Sequence, residues 1–442
     1  AAILGSKAAA LYSSEEFEFG QSSTAVSCSA ALATISVIEE QKLLAKGGAL
    51  ADRLRTGLLT LTGGVRSVGG TSLATVVQLE QSNAEEVANT CATNGLLVSQ
   101  AGEDAVVLCP PLSATTKDVD QAVGVLSEAL GQERPTPAAI ETVERPELIT
   151  EMLAIDGLSA GQADRLLRSA SDLKVQRLKA PRVITPVEGR TVAMVFEKPS
   201  LRTRVSFETA IRELGGEAVF LGKNEIGMGS RESIKDVTNN LSRWCSMIVA
   251  RLFWHKDIEL MASEADIPVI NALTELEHPC QAFADLQTVR ENFGDEKVKI
   301  TYVGDGNNVA RSLAKLAKLL DYPFTICGPE NFRLEDVDGI RQTDVLEDGL
   351  AGAKVVYTDV WISMGDEHEQ EHRLKVFEPY QVNSRLMEMA DKDAIFLHCL
   401  PAHRGFEVTD DVIDSPQSKV YDQAENRLHA QKAILAEIMQ GR

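Results

Sequence analysis

From about residue 190 onward, short apolar segments alternate with helical segments, and this alternation constrains the fold more than any other feature. Short, apolar strands of this kind are typical of parallel sheets that helices cover on both faces. Ligands of such sheets bind where loops leave the carboxyl ends of the strands, so we expect the functional site there. The predicted strands are residues 191–196, 217–221, 247–250, 268–270, 299–303, 324–327, 354–358 and 394–398.

Residues 1–131 follow a different pattern and are predicted to form a smaller α+β domain. The stretch 132–147 is predicted to be a linker, because its prolines fix φ and disfavour helix in the residues before them. The chain is therefore expected to contain this domain followed by two doubly wound parallel-sheet lobes. The predicted elements of the first domain are helices at 28–59, 83–94 and 116–130 and strands at 73–79 and 106–109.

The charge of the chain limits its partners. A formal net charge of -21 argues against nucleic acid or an anionic membrane, because either would favour a basic face. A few arginines and histidines can still form a local positive pocket for a small anionic substrate. All seven histidines follow the linker, so chemistry that needs imidazole belongs to the second part of the chain.

The cysteines indicate a reducing compartment. Their number is odd, at seven, and none has C-x-x-C spacing, which fits reduced thiols in the cytoplasm. No His, Cys and Asp residues have metal-ligand spacing, so no metal is expected. No apolar run reaches the ~18 residues of a membrane span. The first residues, without a Met or a signal-like segment, are expected to be the cut end of a longer chain.

A candidate anion site follows the predicted strand at 191–196. A turn from a strand into a helix directs free backbone N–H groups and the positive end of the helix dipole at one point. Ser200 and Thr203 add hydroxyl groups, and Arg202 and Arg204 offer guanidinium groups suited to phosphate oxygens. A capped helix with surface arginines is the alternative interpretation. The segment reads Glu197-Lys198-Pro199-Ser200-Leu201-Arg202-Thr203-Arg204.

Arg251, His278 and Gln281 form a second group. Arg251 follows a predicted strand, and His278 and Gln281 lie at i and i+3 where a helix begins, so both can face one point. Donors fixed around a carbonyl oxygen stabilise the negative charge that grows there during acyl transfer, and losing one costs about 10²–10³ in rate. A lone histidine is more often structural, but its place between the other motifs favours function.

Three loops provide candidates for binding an amine substrate. Gly304-Asp305-Gly306-Asn307-Asn308 follows a strand, but Val309 stands where a dinucleotide motif has its third glycine. Asp359 follows the predicted strand at 354–358, and its carboxylate can pair with an ammonium group. Ser363 lies four residues further along the same loop and is a second candidate. Cys399 follows the last strand, where a cysteine alone is usually a small core hydrophobe.

These segments resemble the aspartate/ornithine carbamoyltransferase family over about residues 148–442, and the motifs occur in the expected order. Most members have Thr where this chain has Leu201, so only the backbone N–H is expected to serve there. The loop after Asp359 resembles that of the ornithine-specific members and is lacking in the aspartate-specific ones. The matching segments are Ser200-Leu201-Arg202-Thr203-Arg204, His278-Pro279-Cys280-Gln281, Asp359-Val360-Trp361-Ile362-Ser363-Met364-Gly365, His398-Cys399-Leu400-Pro401 and Arg427.

The resemblance implies a carbamoyltransferase fold and transfer of a carbamoyl group from carbamoyl phosphate to ornithine in arginine biosynthesis, without a metal or an organic cofactor. Its implied catalytic residues are Arg202, Arg251, His278 and Cys399, although Asp359 beside Cys399 argues against a covalent nucleophile. Its implied ornithine-binding residues are Asn308, Asp359, Ser363 and Met364, with Asn307 not separated from Asn308. Its implied carbamoyl-phosphate-binding residues are Ser200, Leu201, Arg202, Thr203, Arg251, His278, Gln281, Leu400 and Arg427.

The resemblance also implies the domain organisation and the assembly. Residues 148–285 would bind carbamoyl phosphate and residues 286–425 ornithine. The helix 426–442 would pack back on the first of these lobes. A homotrimer or a multiple of trimers is implied, with closure of the lobes and of the loop after Asp359 excluding water from the reaction.

Residues 1–131 resemble the C-terminal part of class III pyridoxal-phosphate aminotransferases of the acetylornithine type. Val107 stands where the family's substrate-carboxylate arginine is expected, and its Schiff-base lysine would precede Ala1. A working aminotransferase is therefore not expected in this chain. The resemblance rests on Cys28-Ser29-Ala30-Ala31-Leu32-Ala33, Asn94-Gly95-Leu96-Leu97-Val98 and Pro110-Pro111-Leu112.

Three alternative functions remain open at this point. The acceptor could be another amine, such as putrescine or an N-acylated ornithine, although the Ser363-Met364-Gly365 segment argues against both. The chain could be a bifunctional aminotransferase and carbamoyltransferase, which absorbance of bound pyridoxal phosphate would reveal. It could be a binding or regulatory protein without activity, but it retains Arg202, Arg251, His278, Gln281 and Arg427.

Overall fold

The chain forms two compact units, Ala1–Arg145 and Pro146–Arg442, each with its own hydrophobic core. In the part of the chain that the structure describes, no helix has the length and apolar character needed to cross a bilayer. The structure is a computed structural model, and it describes residues 25–41, 43–61, 63–71, 73–135, 148–179, 187–229, 231–335, 337–362 and 367–440.

The first unit is an antiparallel sheet packed against helices, as the α+β prediction required. Its four strands are ordered β1-β2-β4-β3. The helix predicted over 28–59 is instead two helices, and the second buries Leu50, Leu54 and Leu58 in the core. The elements are α1 (Ala25–Glu40), α2 (Leu43–Leu59), β1 (Val65–Thr71), β2 (Ala74–Leu79), α3 (Ala84–Thr93), β3 (Ser99–Gln100), β4 (Ala105–Leu108) and α4 (Thr116–Ala129).

The second unit begins with a lobe built on a parallel sheet, which we call the first lobe. Its four strands are ordered β6-β5-β7-β8, and the central strands β5 and β7 are almost completely buried. The elements are α5 (Ala160–Lys179), β5 (Thr191–Phe196), α6 (Leu201–Glu213), β6 (Glu217–Gly222), α7 (Lys223–Ile226), α8 (Ile234–Trp244), β7 (Met247–Arg251), α9 (His255–Glu264), β8 (Val269–Leu273) and α10 (Pro279–Phe293).

The remainder of the second unit is a second lobe on another parallel sheet, followed by a last helix, α16, that returns to the first lobe. Its five strands are ordered β11-β10-β9-β12-β13. The polar edge strand β11 was not predicted from the sequence. The elements are β9 (Ile300–Val303), α11 (Asn308–Leu319), β10 (Phe324–Cys327), β11 (Arg341–Thr343), α12 (Leu346–Leu350), β12 (Val355–Thr358), α13 (Gln370–Phe377), α14 (Ser384–Met389), β13 (Ile395–His398), α15 (Asp410–Ile413) and α16 (Val420–Gln440).

The strand orders place the functional site. In the first lobe, β5 pairs with β6 on one side and with β7 on the other. In the second lobe, β9 pairs with β10 on one side and with β12 on the other. Loops after such neighbouring strands diverge and leave a crevice at the carboxyl edge of the sheet. The last helix, α16, packs against α5, α6 and α10. The two parallel sheets confirm the predicted fold class, and the exact limits of the lobes stay a prediction.

Candidate active site

A cavity of about 690 Å³ lies at the carboxyl ends of strands from both lobes. It is lined by residues that follow β5, β8, β9, β12 and β13 and by Arg251 at the end of β7, as expected for parallel sheets. Ser363 and Met364, which were also predicted to bind ornithine, lie outside the described residues. The predicted residues that line the cavity are Ser200, Leu201, Arg202, Thr203, Arg251, His278, Gln281, Asn308, Asp359, Cys399, Leu400 and Arg427.

The amino terminus of α6 forms one wall of the cavity. Ser200 caps the helix, and its side chain accepts a hydrogen bond of 3.2 Å from the Thr203 N–H. Leu201 is 74% exposed and has an apolar side chain, so its backbone N–H is the part suited to an anion. Burial lowers the pKa of Arg202, while the nearby Cys399 and Asp359 act in the opposite direction.

Arg204 does not join this wall, contrary to the interpretation that paired it with Arg202. Its Nε donates a hydrogen bond of 2.9 Å to Glu208 Oε1, one turn further along α6. Its guanidinium carbon lies 3.6 Å from the centre of the Phe220 ring. The helical period explains the difference, because residues two positions apart point to different faces of a helix.

Arg251 provides a buried positive charge at the end of β7. Its side chain is only 6% exposed, and burial together with the charges of Arg427 and Arg202 lowers its pKa to about 10. Within the described residues its Nε has no hydrogen-bond partner. A buried guanidinium group with an unused donor is suited to an anionic ligand.

His278 and Gln281 lie where α10 begins, beside Arg427 of α16. Arg427 Nη1 donates to Gln281 Oε1 at 2.6 Å, and its Nη2 donates to Thr203 Oγ1 at 2.9 Å. Burial and the charges of Arg427 and Arg251 hold the pKa of His278 well below its ordinary value, so its imidazole is neutral. His278 Nδ1 is buried without a partner among the described residues, which leaves it available to a ligand.

Asp359 is the acidic centre of the opposite wall. Its Oδ1 accepts hydrogen bonds from the Cys399 thiol at 2.9 Å and from the Val360 N–H at 2.8 Å. Its Oδ2 accepts from Asn307 Nδ2 at 2.9 Å. Burial and the Asp359 charge raise the pKa of Cys399 well above its ordinary value. The thiol is therefore neutral, which argues against a nucleophilic role.

Asn307 and Asn308, which the sequence did not separate, have different contacts. Asn307 caps α11, because its Oδ1 accepts from the N–H groups of Val309 and Ala310 at 3.0 Å each. Asn308 Nδ2 donates to the Thr274 carbonyl at 2.6 Å. Both residues line the cavity. The capping bonds and the bond to Asp359 therefore assign Asn307 a supporting position.

Asp359, His398 and Cys399 carry potential metal-ligand atoms within 4.8 Å of one another. Leu400 N–H donates to His398 Nδ1 at 2.9 Å, so the ring proton lies on Nε2, which faces Glu407 Oε1 at 3.2 Å. Both imidazole nitrogens are thus used by the protein, and we interpret the group as a hydrogen-bonded cluster. Its members come together through the neighbouring ends of β12 and β13, which sequence spacing does not reveal.

Other residues of the cavity were not predicted to be site residues. Lys198 is 7% exposed, and its Nζ lies 4.6 Å from the centre of the Phe253 ring. Lys198 and Asp305 belong to segments that the sequence had already singled out, so their closeness in sequence to the predicted site residues could have identified them. Glu275 and His403 line the cavity as well, and each lies two or three residues outside a segment that the sequence had singled out.

Comparison with protein families assigns nearly the whole described chain. The profile "Aspartate/ornithine carbamoyltransferase, carbamoyl-P binding domain" matches residues 150–291, and "Aspartate/ornithine carbamoyltransferase, Asp/Orn binding domain" matches residues 296–438. The profile "Aminotransferase class-III" matches residues 21–130. The first part therefore contains a class III aminotransferase-like segment ahead of the two carbamoyltransferase domains, as the resemblance implied.

Similar proteins give the same result for the second unit. An ornithine carbamoyltransferase of Methanopyrus kandleri is 46% identical over 301 residues, which are 65% of this chain and 96% of that protein. The anabolic ornithine carbamoyltransferase of Pyrococcus furiosus is 45% identical over 306 residues, or 66% of this chain and 96% of the relative.

Solved structures agree with these relatives. An ornithine carbamoyltransferase structure from Pyrococcus furiosus has a TM-score of 0.63 at 44% identity and covers 66% of this chain and 97% of that one. One from Thermus thermophilus has a TM-score of 0.61 at 38% identity, covering 66% and 99%. The cavity and these matches coincide in the second unit, and the chain belongs to the aspartate/ornithine carbamoyltransferase family.

Proposed function

We propose that the chain is an ornithine carbamoyltransferase, which transfers the carbamoyl group of carbamoyl phosphate to the δ-amine of ornithine and yields citrulline and phosphate. The observation that carries the proposal is that Arg202, Arg251 and His278 line the same cavity as Asp359 and Cys399. A cationic wall suits the acyl phosphate, and an acidic wall suits an amino acid with an ammonium group. Both named relatives are ornithine carbamoyltransferases.

Carbamoyl phosphate is assigned to the wall formed by the first lobe. Its phosphate would bind the amino terminus of α6, where free N–H groups meet the Arg202 side chain. Arg251 and His278 would contact the carbonyl oxygen, and Gln281 with the Leu400 carbonyl would contact the carbamoyl nitrogen. The proposed binding residues are Ser200, Leu201, Arg202, Thr203, Arg251, His278, Gln281, Leu400 and Arg427.

Ornithine is assigned to the opposite wall. The Asp359 carboxylate would pair with the α-ammonium group, and Asn308 would contact the amino-acid end, with Ser363 and Met364 in the loop that follows. Cys399 would lie beside the reacting amine as a neutral hydrogen-bond donor to Asp359. The residue is therefore assigned a polar contact and not a covalent intermediate.

Catalysis would rest on position and on fixed charge. The uncharged δ-amine attacks the carbonyl carbon and a C–N bond forms. The C–O bond to phosphate then breaks, and the proton that the amine loses leaves with the phosphate. Negative charge grows on the carbonyl oxygen, where Arg251 and the neutral His278 are already oriented and no solvent has to reorganise. This chemistry uses the side chains and backbone groups of the protein, so the proposal includes neither a metal nor an organic cofactor.

We further propose a homotrimer, or a multiple of trimers, assembled through the first lobe. Several large apolar side chains are exposed there, and a neighbouring subunit would cover them. Light scattering after gel filtration would test the proposal, with a monomer as the contradicting result. The exposed residues of this lobe are Val175 at 44%, Leu201 at 74%, Val205 at 50%, Val219 at 43%, Trp244 at 72%, Trp254 at 55% and Leu260 at 42%.

A cytoplasmic role in arginine biosynthesis completes the proposal. The six described cysteines are free thiols, which fits a reducing compartment. The Pyrococcus furiosus relative is named anabolic, which favours the biosynthetic direction. No aminotransferase activity is included, because Val107 stands where the substrate-binding arginine would be expected.

The experiment that tests the function compares four acceptors with carbamoyl phosphate. Ornithine, putrescine, N-acetylornithine and aspartate are offered side by side, and the carbamoylated product and released phosphate are measured. Citrulline from ornithine, with far slower product formation from the other three, supports the proposal. Preference for another acceptor, or no product at all, contradicts it, and absorbance from bound pyridoxal phosphate would indicate a second activity.

A further inference from the structure

Residues along one face of α11 form hydrogen bonds and an ion pair with the segment that carries His278. Asn308 Nδ2 donates to the Thr274 carbonyl at 2.6 Å. Ser312 Oγ accepts from the His278 N–H at 2.8 Å, and Lys315 Nζ lies 2.6 Å from Glu277 Oε1. Positions i, i+4 and i+7 share one face of a helix. A helix of the second lobe therefore holds the loop from which the first lobe presents its imidazole.

Glu277 is the centre of these contacts. Its side chain is completely buried, and its Oε2 accepts from Ser312 Oγ and from the Ile155 N–H, both at 3.1 Å. Lys315, which pairs with its other oxygen, also contacts Asp156 at 2.5 Å. A buried carboxylate is tolerated only when it is paired and hydrogen-bonded. The charge of Glu277 thus holds three separate segments in one arrangement.

The Ser312 hydroxyl acts both as a hydrogen-bond donor and as an acceptor. Its proton is donated to Glu277 Oε2, and its lone pair accepts the His278 N–H. Ser312 is completely buried, so water does not replace the hydroxyl if it is removed. Loss of this one group would leave the His278 N–H without a partner and free the backbone from which the imidazole projects.

His278 depends on this anchor because its imidazole is neutral and acts through its position. A charged group attracts a ligand over a distance, whereas a neutral donor contributes only when it lies at hydrogen-bonding distance and angle. Displacement of a catalytic group by about 1 Å can cost about 10²-fold in rate. The residues that fix the His278 backbone therefore bear on the chemical step.

We propose that Ser312, oriented by the Glu277–Lys315 pair, is a positioning residue for His278, through which the second lobe fixes the carbonyl-polarising group of the first. The inference deepens the proposed function and rests on it. Its consequence is specific: the network affects the transition state, where charge grows on the carbonyl oxygen, and leaves the ground-state binding of both substrates almost unchanged.

The test compares Ser312→Ala with Ser312→Thr and with Ser171→Ala. Threonine keeps the hydroxyl, and Ser171 is a matched control because its hydroxyl donates only to the Leu167 carbonyl within α5. We expect Ser312→Ala to lower kcat roughly 10- to 100-fold with both KM values within about twofold. Ser312→Thr is expected to recover most of kcat, and the control to match the parent enzyme.

A second readout does not depend on activity. In protein with isotope-labelled histidine, the imidazole signal that disappears in His278→Gln is followed by NMR. Ser312→Ala is expected to shift this signal, and Ser171→Ala is not. An unshifted signal, an unchanged kcat, or a rise in KM at constant kcat overturns the positioning role. If the parent enzyme forms no citrulline, the proposed function fails, and the imidazole signal alone still decides whether Ser312 positions His278.

Discussion

The Cys399 thiol donates a hydrogen bond of 2.9 Å to Asp359 Oδ1, across the neighbouring ends of β13 and β12. Burial and the same carboxylate raise the pKa of the thiol, so the donor keeps its proton at neutral pH. A cysteine next to the reacting groups thus acts as a neutral polar residue. The pair fixes the carboxylate to which we assign the ammonium group of ornithine.

Replacement of Cys399 distinguishes a role as neutral hydrogen-bond donor from a role as covalent nucleophile. Cys399→Ser keeps a hydroxyl donor for Asp359 and is expected to retain kcat/KM for ornithine within about tenfold. Cys399→Ala removes the donor and is expected to lower kcat/KM roughly 10- to 100-fold, the value of one hydrogen bond to a charged group. Steady-state kinetics of both variants measure this. Complete inactivity of the serine variant, with an intact fold, would indicate a covalent role instead.

Arg202 and Arg204 form a matched pair on α6. Arg202 lines the cavity, whereas Arg204 is bonded to Glu208 on the outer face. We expect Arg202→Ala to lower kcat/KM for carbamoyl phosphate by about 10²–10³, since one fixed charge beside the phosphate is lost. Arg204→Ala is expected to stay within about twofold of the parent. Equal effects of the two substitutions would contradict the assigned phosphate wall.

These two arginines also mark what the sequence could and could not predict. The strand and helix alternation was sufficient for the fold class. The loops at strand ends, together with the family resemblance, predicted twelve of the residues that line the cavity. The polar edge strand β11 escaped because its three residues carry no apolar pattern. Arg204 was grouped with Arg202, although residues two positions apart point to different faces of a helix. Which of these faces meets the cavity depends on how α6 packs in the fold.

Contacts between distant segments were beyond prediction for the same reason. Ser312 lies 34 residues from His278 in the chain, and only the packing of α11 on the 274–278 loop brings them together. The sequence likewise did not separate Asn307 from Asn308. Two adjacent asparagines look alike in a motif, whereas in the fold one caps α11 and the other contacts the Thr274 carbonyl.

His429, on α16, is expected to make the protein sensitive to acid. Burial and the charges of Lys432, Lys174 and Arg177 lower its pKa to about 3. Because the folded-state pKa is depressed, stability present above about pH 6.5 is lost as pH falls towards 3, by about 2 kcal/mol at pH 5. His429→Leu should therefore lose less stability between pH 7 and pH 5.

Urea unfolding of the second unit at both pH values measures this difference. The matched control is His368→Leu, since the His368 side chain is 73% exposed. The control is expected to follow the parent protein at each pH. An identical loss of stability in His429→Leu and in the parent would show that His429 does not contribute to acid unfolding.

The first unit is expected to be dispensable for carbamoyl transfer. Every residue that lines the cavity lies between Lys198 and Arg427, within the second unit. The similar protein of Methanopyrus kandleri aligns over 96% of its length to this part of the chain. A variant without residues 1–145 should retain kcat within about threefold. A folded but inactive truncated protein would assign the first unit a direct part in the reaction.

The most direct test of the account is a crystal structure of the protein with both products, phosphate and citrulline. The account predicts phosphate at the amino terminus of α6 against Arg202, and the ureido oxygen of citrulline between Arg251 and His278. The α-ammonium group of citrulline should contact Asp359. Phosphate or citrulline bound outside this cavity, or the two products bound in separate sites, would contradict the central claim.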